Sequence, residues 1–201
     1  MNINNHIYIY YIKNPNNEVD TKESILLKDY QEYLNEASKN KEKIINIFEK
    51  KFINDFIESI DILLENFKLY SISLIITSAI DVLAKHYTGN TSNSNIGANY
   101  QSFFDEFLKK FFNLTKISSE ITNDFYNNFR CSITHSNSTK IEITIDNDTT
   151  KNCFEQDGKI ILNLMWLNTI LEKILYEYLS ELKNNDTLYN KFIEVQKVIY
   201  F

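Results

Sequence analysis

Arg130 is the single arginine among 21 Lys and Arg residues, and it stands five positions before His135, one of three histidines. The chain is crowded with Lys, Asn, Ile, Tyr and Phe, as AT-rich coding produces. Under that bias a position needing only positive charge becomes lysine. A retained arginine points to a need for the planar, permanently charged guanidinium, whose fork of donors suits a phosphate or a carboxylate. Histidine adds a group that gains or loses a proton near neutral pH. Together they could hold a phosphodiester and move a proton during its cleavage.

The pair lies in Phe125-Tyr126-Asn127-Asn128-Phe129-Arg130-Cys131-Ser132-Ile133-Thr134-His135. Five residues of ideal α-helix correspond to roughly 140° of rotation, so a regular helix would not put both side chains on one face. Either the helix ends near Ile133, as the Ser/Asn/Thr-rich run after His135 favours, or the two residues line opposite walls of a groove. At a helix end the macrodipole favours protonated histidine, which suits proton transfer. The plainer alternative is that Arg130 ties to a buried carboxylate such as Asp81 while His135 caps the helix.

Asp81 is the carboxylate of Ser78-Ala79-Ile80-Asp81-Val82-Leu83-Ala84, an otherwise apolar stretch. Buried charges are rarely left unpaired, so Asp81 is expected to orient Arg130 or His135; the alternative is an exposed stripe. Lys85 and His86 read as helix-end residues, and His6 gives no signal. Cys131 and Cys153 are too few for a disulfide framework and read as reduced thiols. Phe103, Phe104, Phe107, Phe111 and Phe112 recur at helical spacing and read as core or dimer surface. No spacing of His, Cys, Asp or Glu marks a metal site, and no cofactor is expected.

These residues need elements to position them. The 201 residues allow one domain or one domain with an appendage. A net charge of −6 argues against a broad nucleic-acid-binding face, though not against a local positive pocket. Three glycines and one proline leave few breakers, so long helices are expected. The N-terminus lacks the features of a signal peptide, and the most apolar run, Leu69 to Ala84, reads as too short and polar to span a membrane. A cytoplasmic location is expected.

Residues 1–40 read as an N-terminal extension, with a strand over 3–12 and a helix from about Asp20 to Ala37. Ile44, Ile45, Phe48, Phe52, Phe56, Ile60, Leu63, Leu64 and Phe67 define a strong amphipathic helix. A second runs from about Lys68 to Tyr87 and stops at Gly89. Helices follow at about 100–113 and 118–133. The period then falls to two in Lys140 to Asp146 and again in Lys159 to Leu162, which together suggest a β-hairpin within 139–163. Helices over about Met165 to Leu182 and Leu188 to Phe201 close the chain. The fold class is all-α, a helical bundle over 41–201 with a small inserted β-hairpin.

An Arg-x4-His motif ending a helix in an all-α chain, with Ile80-Asp81-Val82-Leu83-Ala84 on an earlier helix, resembles the HEPN superfamily over about residues 42–183. The resemblance implies a four- or five-helix bundle that forms a homodimer, and in many members a metal-independent endoribonuclease of toxin–antitoxin or anti-phage systems. It implies that Arg130 stabilises the scissile phosphate and that His135 is general base or acid while the RNA 2′-hydroxyl attacks. Two motifs meeting across a two-fold axis would supply the paired groups, with an antitoxin or other defence protein as partner. Members usually carry Asn, Asp or His directly after the arginine. Here Cys131 stands there, and Asn127 or Asn128 would have to supply the missing hydrogen bond, with Ser132 as a further supporting residue. The alternatives are a non-catalytic HEPN-like dimerisation or adaptor module, and a binder of a small phosphate ligand.

Overall fold

The computed structural model describes residues 6–13, 19–92, 94–112, 125–133, 141–148, 152–156 and 159–201. At its centre is a helix apolar on most sides, as an enclosed helix must be. This is α4 (Leu69–Thr88), packed against α3 (Glu58–Glu65), α5 (Ile96–Phe103), α6 (Leu164–Asn184) and α7 (Asp186–Tyr200). Ile72, Ile76, Ala79, Ile80 and Leu83 have no exposed surface. With a mean hydropathy of 1.2 over its best window, α4 is long and apolar enough to cross a membrane, contrary to the reading from composition, but half of that window is buried among the other helices.

Gly89 ends α4 as its position predicts. Its φ is 72°, and its N–H donates to the Lys85 carbonyl at 3.0 Å. A Cβ there would lie 2.9 Å from Lys191 Cβ on α7, so both the left-handed turn and the close approach require glycine.

The long apolar periodicity over 44–67 gives α2 (Lys41–Phe52) and α3, joined without interruption by a π turn, Ile53–Ile57. Phe52 and Ile57 are both buried although five residues apart, and the π turn supplies that extra residue. A second π turn, Phe104–Leu108, extends α5 and places Phe103, Phe104 and Phe107 in the core.

Two regions depart from expectation. Residues 20–26 are not helical: β1 (His6–Lys13) pairs antiparallel with β2 (Val19–Leu26), and α1 (Leu27–Asn35) starts only afterwards. Cross-strand pairing overrides a weak helical signal in a segment carrying Val19, Thr21 and Ile25. Tyr30 and Leu34 of α1 enter the same core as the bundle. The second departure is the inserted sheet, ordered β3 (Glu142–Thr144), β5 (Lys159–Asn163), β4 (Cys153–Gln156). The hairpin is β4 with β5, while β3 lies parallel to β5. The two alternating runs are thus neighbours but not the two arms of the hairpin, and Cys-Phe-Glu-Gln showed no alternation to reveal it as a strand. Asn163 fixes the sheet to the bundle: its side chain caps α6 through Met165 N–H at 3.1 Å and donates to the Asp146 carbonyl at 2.9 Å. The protein is an all-α bundle with a small β insertion.

Candidate functional site

The segment Phe125–Cys131 forms a π-wound helix. Phe125, Phe129 and Ile133 are buried, with Phe125 against Phe104 and Phe112 at ring-centroid distances of 5.0 and 5.5 Å. That anchoring leaves Tyr126 and Arg130 on another side. A second anchor is the Tyr70 hydroxyl on α4, which donates to the Ile133 carbonyl at 2.8 Å.

Arg130 reaches across to α4. Its Nε and Nη2 both donate to Asp81 Oδ2, at 3.1 and 2.8 Å. The Arg130 side chain is 12% exposed and that of Asp81 26%. The guanidinium carbon lies 5.5 Å from the Tyr126 ring centroid, a cation–π contact, and Nη1 points towards Cys131 Sγ at 4.0 Å. Tyr126 in turn packs against Gly97, where a Cβ would fall 3.1 Å from the ring. Burial raises the Asp81 carboxyl above the ordinary range, and the hydrogen bonds and charge of Arg130 pull it back in part. For Arg130, burial opposes the charge, but Asp81 more than compensates and the guanidinium is held more firmly protonated.

The pair is not self-contained. Asp81 Oδ1 is buried without a hydrogen-bond partner among the described residues, and so is the hydroxyl of nearby Tyr100. Beside them opens a cavity of about 130 Å³ lined by Asp81, Ala84, Lys85, Ser92, Ile96, Asn99 and Arg130. Lys85 lies one turn beyond Asp81 on α4, and Asn99 comes from α5. Sequence reasoning assigned Lys85 to the helix end and passed over Asn99, Tyr100 and Tyr126. The spacing of Asp81 and Lys85 was the one available signal, since residues four apart share a helix face.

Asp81 and Arg130 therefore come together. Ser132 Oγ donates to the Asn127 carbonyl at 3.2 Å, a contact between residues five apart. In a π helix the backbone bonds join i to i+5, so residues five apart stack, unlike in the α-helix assumed from sequence. Asn127 is exposed and Asn128 half-buried on the same turns. His135 lies outside the described residues. Among the described residues no three His, Cys, Asp or Glu side chains converge as a metal would require.

The histidine of α4 occupies a different setting. His86 is buried, and its Nδ1 lies 2.7 Å from the Val82 carbonyl. A carbonyl only accepts, so Nδ1 carries the proton and Nε2 must accept from Gln196 Nε2, 2.7 Å away. Gln196 Oε1 then accepts from the Tyr30 hydroxyl at 2.8 Å. Burial pushes the imidazole down to about 4. His86 is thus a core residue linking α4 to α7 and α1, not a helix cap.

No family model matches the chain, and neither curated proteins nor solved structures show a significant match to it.

Proposed function

We propose that the chain is a HEPN-like endoribonuclease acting without a metal as a toxin or anti-phage effector, with Arg130 and His135 of two copies forming the site. The observation that supports this reading most is the Arg130–Asp81 contact beside an open cavity. A guanidinium oriented in advance by a carboxylate meets a phosphate with little reorganisation. In this reading Arg130 holds the scissile phosphate, Asp81 positions Arg130, and His135 takes or gives the proton as the 2′-hydroxyl attacks. The exposed Tyr70 and Leu74 on α4 offer apolar surface for the second copy. A second reading, a non-catalytic adaptor, is favoured by the same contact. Two guanidinium nitrogens are engaged by Asp81, and the side chain is mostly buried, as a tie between helices would be.

RNA incubated with the purified protein separates the two. The enzyme reading expects cleavage in EDTA, products ending in 2′,3′-cyclic phosphate, and resistance of a substrate whose 2′-hydroxyl at the cut site is replaced by hydrogen. His135→Ala should cost about 10²–10⁴-fold in rate with the fold intact, because proton transfer contributes that much. Arg130→Lys should abolish cleavage. Intact RNA with the wild-type protein under all conditions, together with a destabilised Arg130→Lys, would establish the adaptor reading instead.

A further inference from the structure

The apolar spacing over 44–67 ends on Phe67, yet this side chain stays outside the core. Helix α3 stops at Glu65 in a Schellman turn: the Lys68 N–H donates to the Leu63 carbonyl at 3.2 Å, and the Phe67 N–H to the Leu64 carbonyl at 3.1 Å. The turn holds Phe67 at a φ of 51°, the left-handed conformation that glycine or asparagine usually supplies. Its side chain is 72% exposed. An unfavourable backbone and a bare aromatic ring thus coincide at one residue, in a chain rich in asparagine. Covering the ring with a partner would offset both.

Phe67 also begins a stripe. Tyr70, Leu74, Ser78, Asp81 and Lys85 follow at intervals of three and four, so they share one side of α4, away from the buried Ile72, Ile76 and Leu83. The stripe is apolar at its first end. At its other end Asp81 and Lys85 line the cavity beside Arg130, with the exposed Ile96 on the same wall. The face is therefore self-complementary, a projecting ring at one end and a partly apolar hollow at the other. Phe67 stands seven positions before Leu74 and Asp81 seven after, about 10 Å of helix each way. A copy turned about a two-fold axis at Leu74 runs antiparallel and meets knob with hollow twice.

Area points the same way. With an aromatic side chain offering about 200 Å², the exposed parts of Phe67, Tyr70 and Leu74 come to roughly 300 Å². That is the size of a functional patch, but short of the about 800 Å² that each side of a stable interface buries. The contact must then continue along the helix, as the antiparallel arrangement provides.

We propose that the α4 stripe is the contact with a second copy of this chain, crossing at Leu74, and that Phe67 of each copy packs against Ile96 and walls the Arg130 site of the other. The assignment rests on the two-copy site proposed above and deepens it by naming what the second copy contributes. Each cavity is incomplete without the other chain.

Sedimentation of the full chain over a range of concentrations tests the assignment. The wild type should dimerise. Phe67→Asn should raise the dimer dissociation constant at least tenfold, as loss of a buried aromatic anchor does. The melting temperature of its monomer should hold or rise, because asparagine suits the left-handed turn. Under mild oxidation Leu74→Cys, on the axis, should form a reducible covalent dimer, whereas Val198→Cys, on an exposed apolar stretch of α7, should not. A wild type that stays monomeric, a dimer that Phe67→Asn leaves as tight as before, or covalent dimers from Val198→Cys but not from Leu74→Cys would overturn it. RNA cleavage is read separately. A dimer joined through α4 that leaves RNA intact keeps the interface and loses the ribonuclease; cleavage by a monomer, or by a dimer joined elsewhere, does the reverse.

Discussion

Five residues apart on α4, Asp81 and His86 anchor two polar clusters that differ in one respect. The His86 cluster is closed. From the Val82 carbonyl through His86 and Gln196 to the Tyr30 hydroxyl, the hydrogen-bonding directions follow one from another, in a pocket walled by Phe48 and Phe192. The Asp81 cluster is open: Arg130 satisfies one carboxylate oxygen, the other is buried without a hydrogen-bond partner among the described residues, and a cavity adjoins. A histidine is the residue type chemistry suggests first, yet here full satisfaction makes it structural. An aspartate in an apolar helix looks like a packing element, yet its incomplete satisfaction sets it apart from the packed core. Buried polar groups in a folded protein are nearly always paired, so the unpaired one is the more informative.

The comparison breaks most visibly if Gln196 is removed. Gln196→Leu keeps the volume but leaves His86 Nε2 without a donor and Tyr30 without an acceptor, both buried. Each should cost roughly 1–3 kcal/mol. Urea unfolding should show a large fall in midpoint with unchanged slope. A midpoint close to wild type would mean that water or rearrangement satisfies the cluster, and the contrast with Asp81 would fail.

Acid should act on the same cluster. The His86 imidazole is held at about 4, against 6.5 in an unfolded chain, so between those values the unfolded state binds more protons. Stability from this group is complete above pH 6.5 and is lost as pH falls towards 4, by on the order of 3 kcal/mol. The raised carboxyl of Asp81 works in the opposite direction, since its protonation at low pH relieves a buried charge. Melting temperatures recorded from pH 7 to 4 should fall, and fall less steeply in His86→Gln. Parallel profiles would mean that another group governs the acid transition.

Arg130→Lys sharpens the open side. Lysine keeps the charge, loses the fork, and gives up part of the contact with Asp81 and Tyr126. Because Asp81 retains some solvent access, the stability loss should be about 1 kcal/mol. A loss several times larger would show the pair to be structural, like the His86 cluster. The smallest effect belongs to Gly97→Ala. Alanine improves the helix by up to about 1 kcal/mol but presses on Tyr126 from 3.1 Å, so the two terms nearly cancel. Thermal stability should stay within about 1 kcal/mol of wild type, while any activity that depends on the Tyr126–Arg130 contact declines. Unchanged activity would remove Tyr126 from the site.

Much of this architecture was legible in the sequence because it is dictated locally. The threefold and fourfold spacing of apolar residues over 44–67 can be buried only as a helix, and an apolar stretch such as that from Leu69 must sit amid others. Gly89 marks the end of α4 because its left-handed φ is a local requirement. The pairing of Asp81 with Arg130 was anticipated too, since an unpaired charge in an apolar helix is costly. What tertiary structure decided depends on contacts distant in sequence. Strand pairing turned residues 20–26 from helix to strand, and set β3 parallel to β5 rather than antiparallel in a hairpin. Packing of Phe125, Phe129 and Ile133 accompanies the π winding that stacks residues five apart. The fates of His86 and Lys85, one sealed by Gln196 from a helix 110 positions later and one left facing a cavity, follow from where α5 and α7 happen to lie. Residue type and spacing fix which faces must be buried; only the completed packing fixes which polar groups find partners.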